Sequence, residues 1–186
     1  MRNVLVVISG PSGVGKGTIA KILTERNGYA LSVSCTTRAP RTGEVDGREY
    51  FFISRDEFLR RVKENGFLEY SEHFENFYGT PKDFVEKQLE QKDVILEIDV
   101  NGGLNVKKTY PQAILVMIVP PSLEEVRKRL IKRNTETEDK IELRMKRISY
   151  ELGKQSLYDY SVVNDDLETT VERLTEIINE EKSRKN

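Results

Sequence analysis

Residues 4 to 9 read V-L-V-V-I-S, and the next nine, 10 to 18, read G-P-S-G-V-G-K-G-T. A short, continuously apolar run closed by glycine is the pattern of a strand buried on both faces, an environment that a parallel sheet covered by helices provides. Ile19, Ile22 and Leu23 then recur at helical spacing. Strand, glycine-rich loop and helix in that order turn successive backbone N–H groups and a helix N-terminus toward one point, which makes an anion site. A lysine beside it adds a charge for the outer phosphates. The pattern G-x-x-x-x-G-K-[ST] is met from Gly10 to Lys16, but Gly17 stands where the magnesium-binding hydroxyl is usual, and Thr18 carries a hydroxyl one residue later. The expected phosphate site is therefore Gly10, Pro11, Ser12, Gly13, Val14, Gly15, Lys16, Gly17 and Thr18, with the backbone and Lys16 doing the holding. An ordinary strand-to-helix turn has little use for this combination of glycines and a lysine.

The rest of the chain fits such a core. Residues 94 to 99 (V-I-L-E-I-D) and 113 to 119 (A-I-L-V-M-I-V) read as two more buried strands, each followed by a helical segment. Tyr160 to Asn164 is a short strand, and Leu167, Val171, Leu174 and Ile178 line one face of a last helix. Ser54 with Glu57 and Ser122 with Glu125 have capping-box spacing, and Thr80-Pro81 reads as an N-cap before a first-turn proline. The expected fold is α/β: a parallel sheet flanked by helices, in one domain of 186 residues. From about 34 to 80 the alternation breaks into text dense in Arg, Gly, Tyr, Phe and Glu, with one helix near 56–65, as a small insert would read. Residues 133 to 139, R-N-T-E-T-E-D, are too polar to be buried and read as a flap between two arginine-bearing helices.

Composition narrows the partners. A formal net charge of -1 carries no surplus of Lys and Arg, which argues against nucleic acid and against a membrane surface. The single cysteine cannot form an internal disulfide, which fits a reducing, cytoplasmic setting. The apolar run after Asn3 is too short for a signal sequence, and no run approaches the roughly 18 apolar residues of a membrane span.

Three further groups of side chains carry chemistry, and two lone residues do not. Glu97 and Asp99 sit two apart at the end of a strand, on one face by strand alternation, where a carboxylate pair can organise the water shell of a magnesium ion. Arg38 and Arg41 lie in S-C-T-T-R-A-P-R, stiffened by Pro40, and arginine suits bidentate phosphate recognition. With Tyr50 and Tyr78-Gly79-Thr80 they suggest a second anion site. Arg127, Arg129, Arg133, Arg144 and Arg147 cluster around the polar flap, where closure would bring cations onto transferring phosphates; pairing with nearby glutamates is the plainer reading of Arg127 and Arg147. His73 and Cys35 are each alone of their type, so neither can build a catalytic pair or a zinc set.

With those stretches in view the sequence resembles the guanylate kinases from Asn3 to about Lys182. G-P-S-G-V-G-K-G-T at 10 would fit many P-loop proteins, whereas S-V-S-C-T-T-R-A-P-R-T-G-E-V-D-G-R-E-Y-F-F at 32 is far more specific. F-L-E-Y at 67, Y-G-T-P at 78, L-E-I-D-V-N-G at 96 and V-V-N-D-D at 162 complete the likeness. The resemblance implies ATP-dependent phosphorylation of GMP with Mg2+, on a core (3–33 and 81–182) with a GMP-binding insert (about 34–80) and a helical lid (about 127–150). It assigns the GMP phosphate to Ser34, Arg38, Arg41, Tyr50 and Tyr78, and guanine to Glu69, Thr80 and Asp99. Lys16, Arg38, Arg41, Arg133 and Arg144 would stabilise the transferring phosphoryl group, Arg129 would join the loop on the ATP side, and Asn164 would lie at the adenine. Glu97 and Asp99 would hold the metal through water. The chain departs from the family at Gly17, at Asn101 where Gln is common, and at Cys35 where a polar residue is usual. A non-catalytic module of the same fold that binds proteins is the alternative from another class, and a kinase for another phosphorylated small molecule the alternative within enzymes.

Overall fold

The computed structural model describes residues 3–73, 75–132 and 138–184, with the side chains of His73, Arg129 and Lys132 outside that description. In chain order the elements are β1 (Leu5–Ser9), α1 (Lys16–Asn27), β2 (Ala30–Leu31), β3 (Cys35–Thr36), β4 (Phe51–Phe52), α2 (Arg55–Lys63), β5 (Phe67–His73), β6 (Asn76–Pro81) and α3 (Lys82–Leu89). There follow β7 (Val94–Glu97), α4 (Val100–Thr109), β8 (Ile114–Val119), α5 (Leu123–Lys132), α6 (Glu138–Leu152), β9 (Tyr160–Val163) and α7 (Leu167–Arg184).

Five strands form one parallel sheet in the order β2-β7-β1-β8-β9. The apolar run that opens the chain thus becomes the central strand. Its alternation divides the core: Val4, Val6 and Ile8 pack with Ile19 and Leu23 of α1 and Leu174 and Ile178 of α7. Leu5 and Val7 point the other way, to Val85 of α3, Val100 and Val106 of α4, and Leu115 and Met117. Burial on both faces is what a strand without polar alternation requires. At the lower edge of the sheet Asp93 accepts hydrogen bonds from the Val4 N–H (2.9 Å) and from Lys182 Nζ (2.7 Å), fastening the last helix to the first strand.

Residues 35 to 81 hold the second sheet, ordered β4-β3-β6-β5, in which β3 pairs parallel with β4 and all other pairings are antiparallel. Its core is small: Cys35, Phe58 and Phe67 are buried, and the Phe58 ring stacks on Phe67 and Phe77 with centroids 4.4 and 5.2 Å apart. α5 and α6 pack on one another through Val126, Leu130, Ile141 and Ile148. Most of the expected flap falls at 133–137, outside the described residues. Among the described residues no helix is long and apolar enough to cross a membrane.

Three local expectations are corrected. Ser54 and Ser122 do accept from the N–H groups of Glu57 and Glu125, but Glu57 turns to Arg60 and Arg61, and Glu125 to Lys128, so the boxes close on one side only. The cap of α3 is Pro81, not Thr80: the helix begins at Lys82, and the Thr80 hydroxyl is given to Glu69. Asp99 does not share a strand face with Glu97: β7 ends at Glu97, and Asp99 is the N-cap of α4, accepting from the Gly102 N–H at 2.8 Å.

Candidate active site

The loop between β1 and α1 is shaped by its contacts. Gly10 has φ +149°, and a Cβ there would run into the Ile118 carbonyl of β8, so only glycine lets the chain leave the sheet at this point. Gly15 caps α1 with no side-chain hydrogen bond to the first turn, leaving those N–H groups directed into the loop. Lys16 Nζ donates to the carbonyls of Gly10 (2.8 Å) and Pro11 (3.1 Å). Burial lowers its pKa, while Glu97, Glu151 and Asp99 pull the other way. From behind, the Asn164 side-chain amide donates to the Val14 carbonyl (2.7 Å) and accepts from the Thr170 hydroxyl (3.1 Å), tying the loop to the end of β9. Pro11 and Val14 are buried, whereas Ser12, Gly13, Gly17 and Thr18 are exposed at the mouth. A Cβ on Gly17 would sit 3.4 Å from Glu97 Oε2, so the Glu97 carboxylate stands against the position from which the usual hydroxyl is missing.

Beside the loop, an open cavity of about 400 Å³ lies between the two sheets, within the range of roughly 300–1,000 Å³ common for small-molecule sites. Ser34, Arg41, Tyr50 and Tyr78 line one part of it, and Glu69, Glu97 and Asp99 another. The register of β5 and β6 places Glu69 opposite Thr80, and the Thr80 hydroxyl donates to Glu69 Oε1 at 2.7 Å. Glu69 is 8% exposed, and burial pushes its carboxyl up to about 7, reinforced by the Asp99 charge and opposed by the Thr80 hydrogen bonds. Space for it is made by Gly102, where a Cβ would come within 3.1 Å of Glu69 Oε2. Asp99 is further held through its carbonyl, which accepts from Ser9 Oγ at 3.2 Å.

Beside the cavity wall at Tyr50, the Arg38 guanidinium lies 5.5 Å from the Tyr50 ring centre and pairs with Glu44. The Tyr50 and Tyr78 rings meet edge to face at 5.9 Å. Cys35, next to Ser34, is fully buried and its thiol is pushed up to about 11 by burial, so it stays a protonated core residue. The His73 side chain lies outside the described residues.

Of the lid arginines, Arg144 is half-buried on α6; Arg133 and the Arg129 side chain lie outside the described residues. Arg127 pairs with Glu138 and Glu142 on the surface, as its spacing suggested. Arg147 also pairs with a neighbour, Glu151 (3.0 Å), but Glu151 is buried and both charges act on Lys16, so this pair faces the cleft. Sequence reading missed that direction. It also missed Ser71 in the cavity wall, although Ser71 stands two residues beyond Glu69 on the same strand and alternation puts it on the same face. Asn101 accepts a hydrogen bond from Lys154.

A glycine-rich strand-to-helix loop at the centre of a parallel sheet, facing a second polar cavity, defines a P-loop phosphotransferase architecture. Shikimate kinase from Bacteroides thetaiotaomicron shares the fold, with a TM-score of 0.54 at 18% identity over 95% of this chain and 98% of that one. The guanylate kinase family model matches residues 2–181, and the chain belongs to that family. It is 50% identical to the guanylate kinase of Clostridium tetani over 184 residues, 98% of this chain and 88% of the relative. It is also 50% identical to that of Caldanaerobacter subterraneus subsp. tengcongensis, over 98% of this chain and 90% of the relative. The crystal structure of guanylate kinase from Anaplasma phagocytophilum superposes with a TM-score of 0.77 at 34% identity, covering 96% of this chain and 86% of that one.

Proposed function

We propose that this chain transfers the terminal phosphoryl group of ATP to GMP, giving ADP and GDP, with the Gly10–Thr18 loop as donor site and the cavity beside it as acceptor site. The observation that carries the choice of acceptor is the buried carboxylate of Glu69, with the Thr80 hydroxyl on one of its oxygens. Guanine offers an N1–H and a 2-amino group side by side, a donor pair that a carboxylate takes with its two oxygens. Adenine offers no such pair, and AMP would leave Glu69 desolvated and unmatched. Sites built on buried hydrogen bonds reject ligands lacking them by roughly 10⁴-fold. Asp99 and Thr80 complete the base end; Ser34, Arg38, Arg41, Tyr50 and Tyr78 take the phosphate.

A phosphate oxygen of GMP, already anionic near neutral pH, attacks the terminal phosphorus. Its bond forms as the bridging bond to the ADP oxygen breaks, and ADP leaves with that electron pair. No general base is needed, so catalysis is positioning and charge neutralisation. Lys16 exchanges its carbonyl partners for phosphate oxygens and follows the charge that develops on the bridging oxygen. Arg38 and Arg41 neutralise the acceptor, and Arg133 and Arg144 of the lid the transferring group; in related transfers arginines of this kind contribute roughly 10³ to 10⁵ in rate. Arg129 and Asn164 belong to the ATP side, where Asn164 already holds the loop at Val14.

Mg2+ fits the donor set. Among the described residues no group of three or more His, Cys, Asp or Glu is arranged to hold an ion, but Glu97 faces the exposed rim of the loop at Gly17. Magnesium usually keeps several waters and is held by one or two carboxylates together with substrate phosphates. Glu97 and Asp99 would hold it through water, and when bound it neutralises charge on the ATP phosphates.

In this reading residues 3–33 and 81–182 are the fixed core, about 34–80 the GMP-binding insert and about 127–150 the lid, acting on small-molecule substrates in the cytoplasm. A protein-binding module has no need of an intact Lys16 loop and draws no support from the relatives. A coupled assay of ADP release with ATP, Mg2+ and either GMP or AMP tests the proposal. Release should depend on GMP and be on the order of 10³-fold less efficient or worse with AMP; release indifferent to GMP would sink it.

A further inference from the structure

Beside the cavity, a carboxylate that the reaction above does not use is paired with one of the arginines assigned to the acceptor's phosphate. Glu44 accepts from Arg38 Nη2 at 2.9 Å and from Arg38 Nη1 at 3.0 Å, a bidentate pair along the outer edge of the guanidinium. Its Oε2 also accepts from the Arg41 backbone N–H at 2.7 Å, while the Glu44 N–H donates to the Arg41 carbonyl at 3.0 Å. One carboxylate therefore fixes the side chain of the first arginine and the main chain of the second. The pair is shielded, with side-chain exposures of 15% and 18%, against 64% and 35% for the nearby Arg48–Glu49 pair. Arg38 Nη1 gives another bond to the Ala39 carbonyl at 2.7 Å, so the outer edge of the guanidinium is fully committed.

An arginine has two edges for bidentate recognition, one between its terminal nitrogens and one between Nε and Nη2. Glu44 occupies the first, and the guanidinium makes a further hydrogen bond with the Tyr78 side chain, itself a wall of the cavity. A carboxylate here has a cost, because it stands near an incoming phosphate and removes one of the two positive charges offered to it. Against that cost, an arginine already locked in place need not lose its rotamer freedom on binding, which is worth roughly threefold to tenfold in affinity per side chain. The bidentate geometry, the added bond to the Arg41 turn and the shielding together favour locking over competition.

We propose that Glu44 is a positioning residue for the acceptor's phosphate, presetting the Arg38 side chain and the Arg41 turn so that the phosphate meets an immobilised guanidinium. This rests on reading the cavity as the GMP site. The test is calorimetric binding of GMP and of guanosine, which lacks the phosphate, to the wild type, Glu44→Ala and Glu44→Gln, with ATP KM measured alongside. In both variants the GMP Kd should rise about tenfold, while guanosine Kd and ATP KM stay within about twofold. Glu44→Asp, which keeps the charge on a shorter arm, should recover part of the loss. GMP binding that is unchanged or tighter in Glu44→Gln would overturn the proposal, since Glu44 would then be idle or a competitor. Guanosine weakened as much as GMP would overturn it too, by showing a disturbed insert instead of a misplaced pair of arginines. A wild type that binds neither GMP nor guanosine would instead refute the assignment of the cavity.

Discussion

The glycine loop and the cavity proposed as the acceptor site share a wall at Glu97, yet their polar groups are satisfied in opposite ways. In the loop the anchors are the large core and the loop's own backbone: Gly10 packs on the Ile118 carbonyl, Asn164 holds Val14, and Lys16 rests on two loop carbonyls. In the cavity the anchors are two- to seven-residue strands over a small aromatic core, and the central acid, Glu69, is buried with a carboxyl pushed up to about 7. The loop stores its readiness in backbone geometry. The cavity stores it in desolvated charge, so the acceptor side should respond to pH and to single charge changes where the donor side responds to loss of Lys16.

The sharpest way to break that contrast is Lys16→Ala. Turnover should fall by about 10³ while GMP affinity, read by calorimetry, stays within about twofold. A parallel loss of GMP binding would mean that the two sites are one cooperative unit.

Next in size is Glu69→Gln, which keeps the volume but replaces one acceptor oxygen by a donor facing the guanine donor pair. GMP KM should rise about 10²-fold with ATP KM unchanged. The same variant isolates the titration. The folded pKa of about 7 lies above the ordinary 4.5, so between those values the native chain holds a proton that the unfolded chain has lost. Stability from this group is present below pH 4.5, falls as pH rises toward 7 and is gone above it. Glu69→Gln should therefore melt higher than the wild type at pH 8 and no higher at pH 4.5. Wild-type GMP KM should rise about tenfold from pH 8 to pH 6, because the proposed binding mode uses the carboxylate, and this part of the dependence should vanish in the variant. A wild type and variant with the same pH profile would remove desolvation from the account of the cavity.

Gly17→Ser gives the smallest effect and tests the wall the two sites share. The added Cβ meets Glu97 at an ordinary contact distance of 3.4 Å. The hydroxyl should lower the Mg2+ needed for half-maximal rate by about threefold and leave the melting temperature within about 2 °C. No change in the Mg2+ requirement would detach Glu97 and Gly17 from the metal.

What could be read in advance follows the size of each burial signal. β1, β7 and β8 were legible because strands buried on both faces write unbroken apolar runs, and α7 because Val171, Leu174 and Ile178 keep helical spacing. β2, β3 and β4 are two residues each, too short for any period to show. Thr80 read as a helix cap because Thr-Pro commonly is one; the pairing with β5 claims its hydroxyl for Glu69 instead. Asp99 read as a strand residue because V-I-L-E-I-D alternates on paper, but Asp99 ends that run by capping α4. Arg147 shows the remaining gap: its spacing from Glu151 gives the ion pair, and only tertiary packing says that the pair faces Lys16.

The central position of β1 also sets an order of events during synthesis. β1 is translated before both of its partners, Val94–Glu97 on one side and Ile114–Val119 on the other. Contacts so far apart in sequence form slowly, since a long loop must close before they gain anything. Until Ile118 has left the ribosome, Gly10 has no carbonyl to pack against. If the loop is the donor site proposed above, a nascent chain that carries the whole glycine motif still lacks the strand that shapes it for nucleotide.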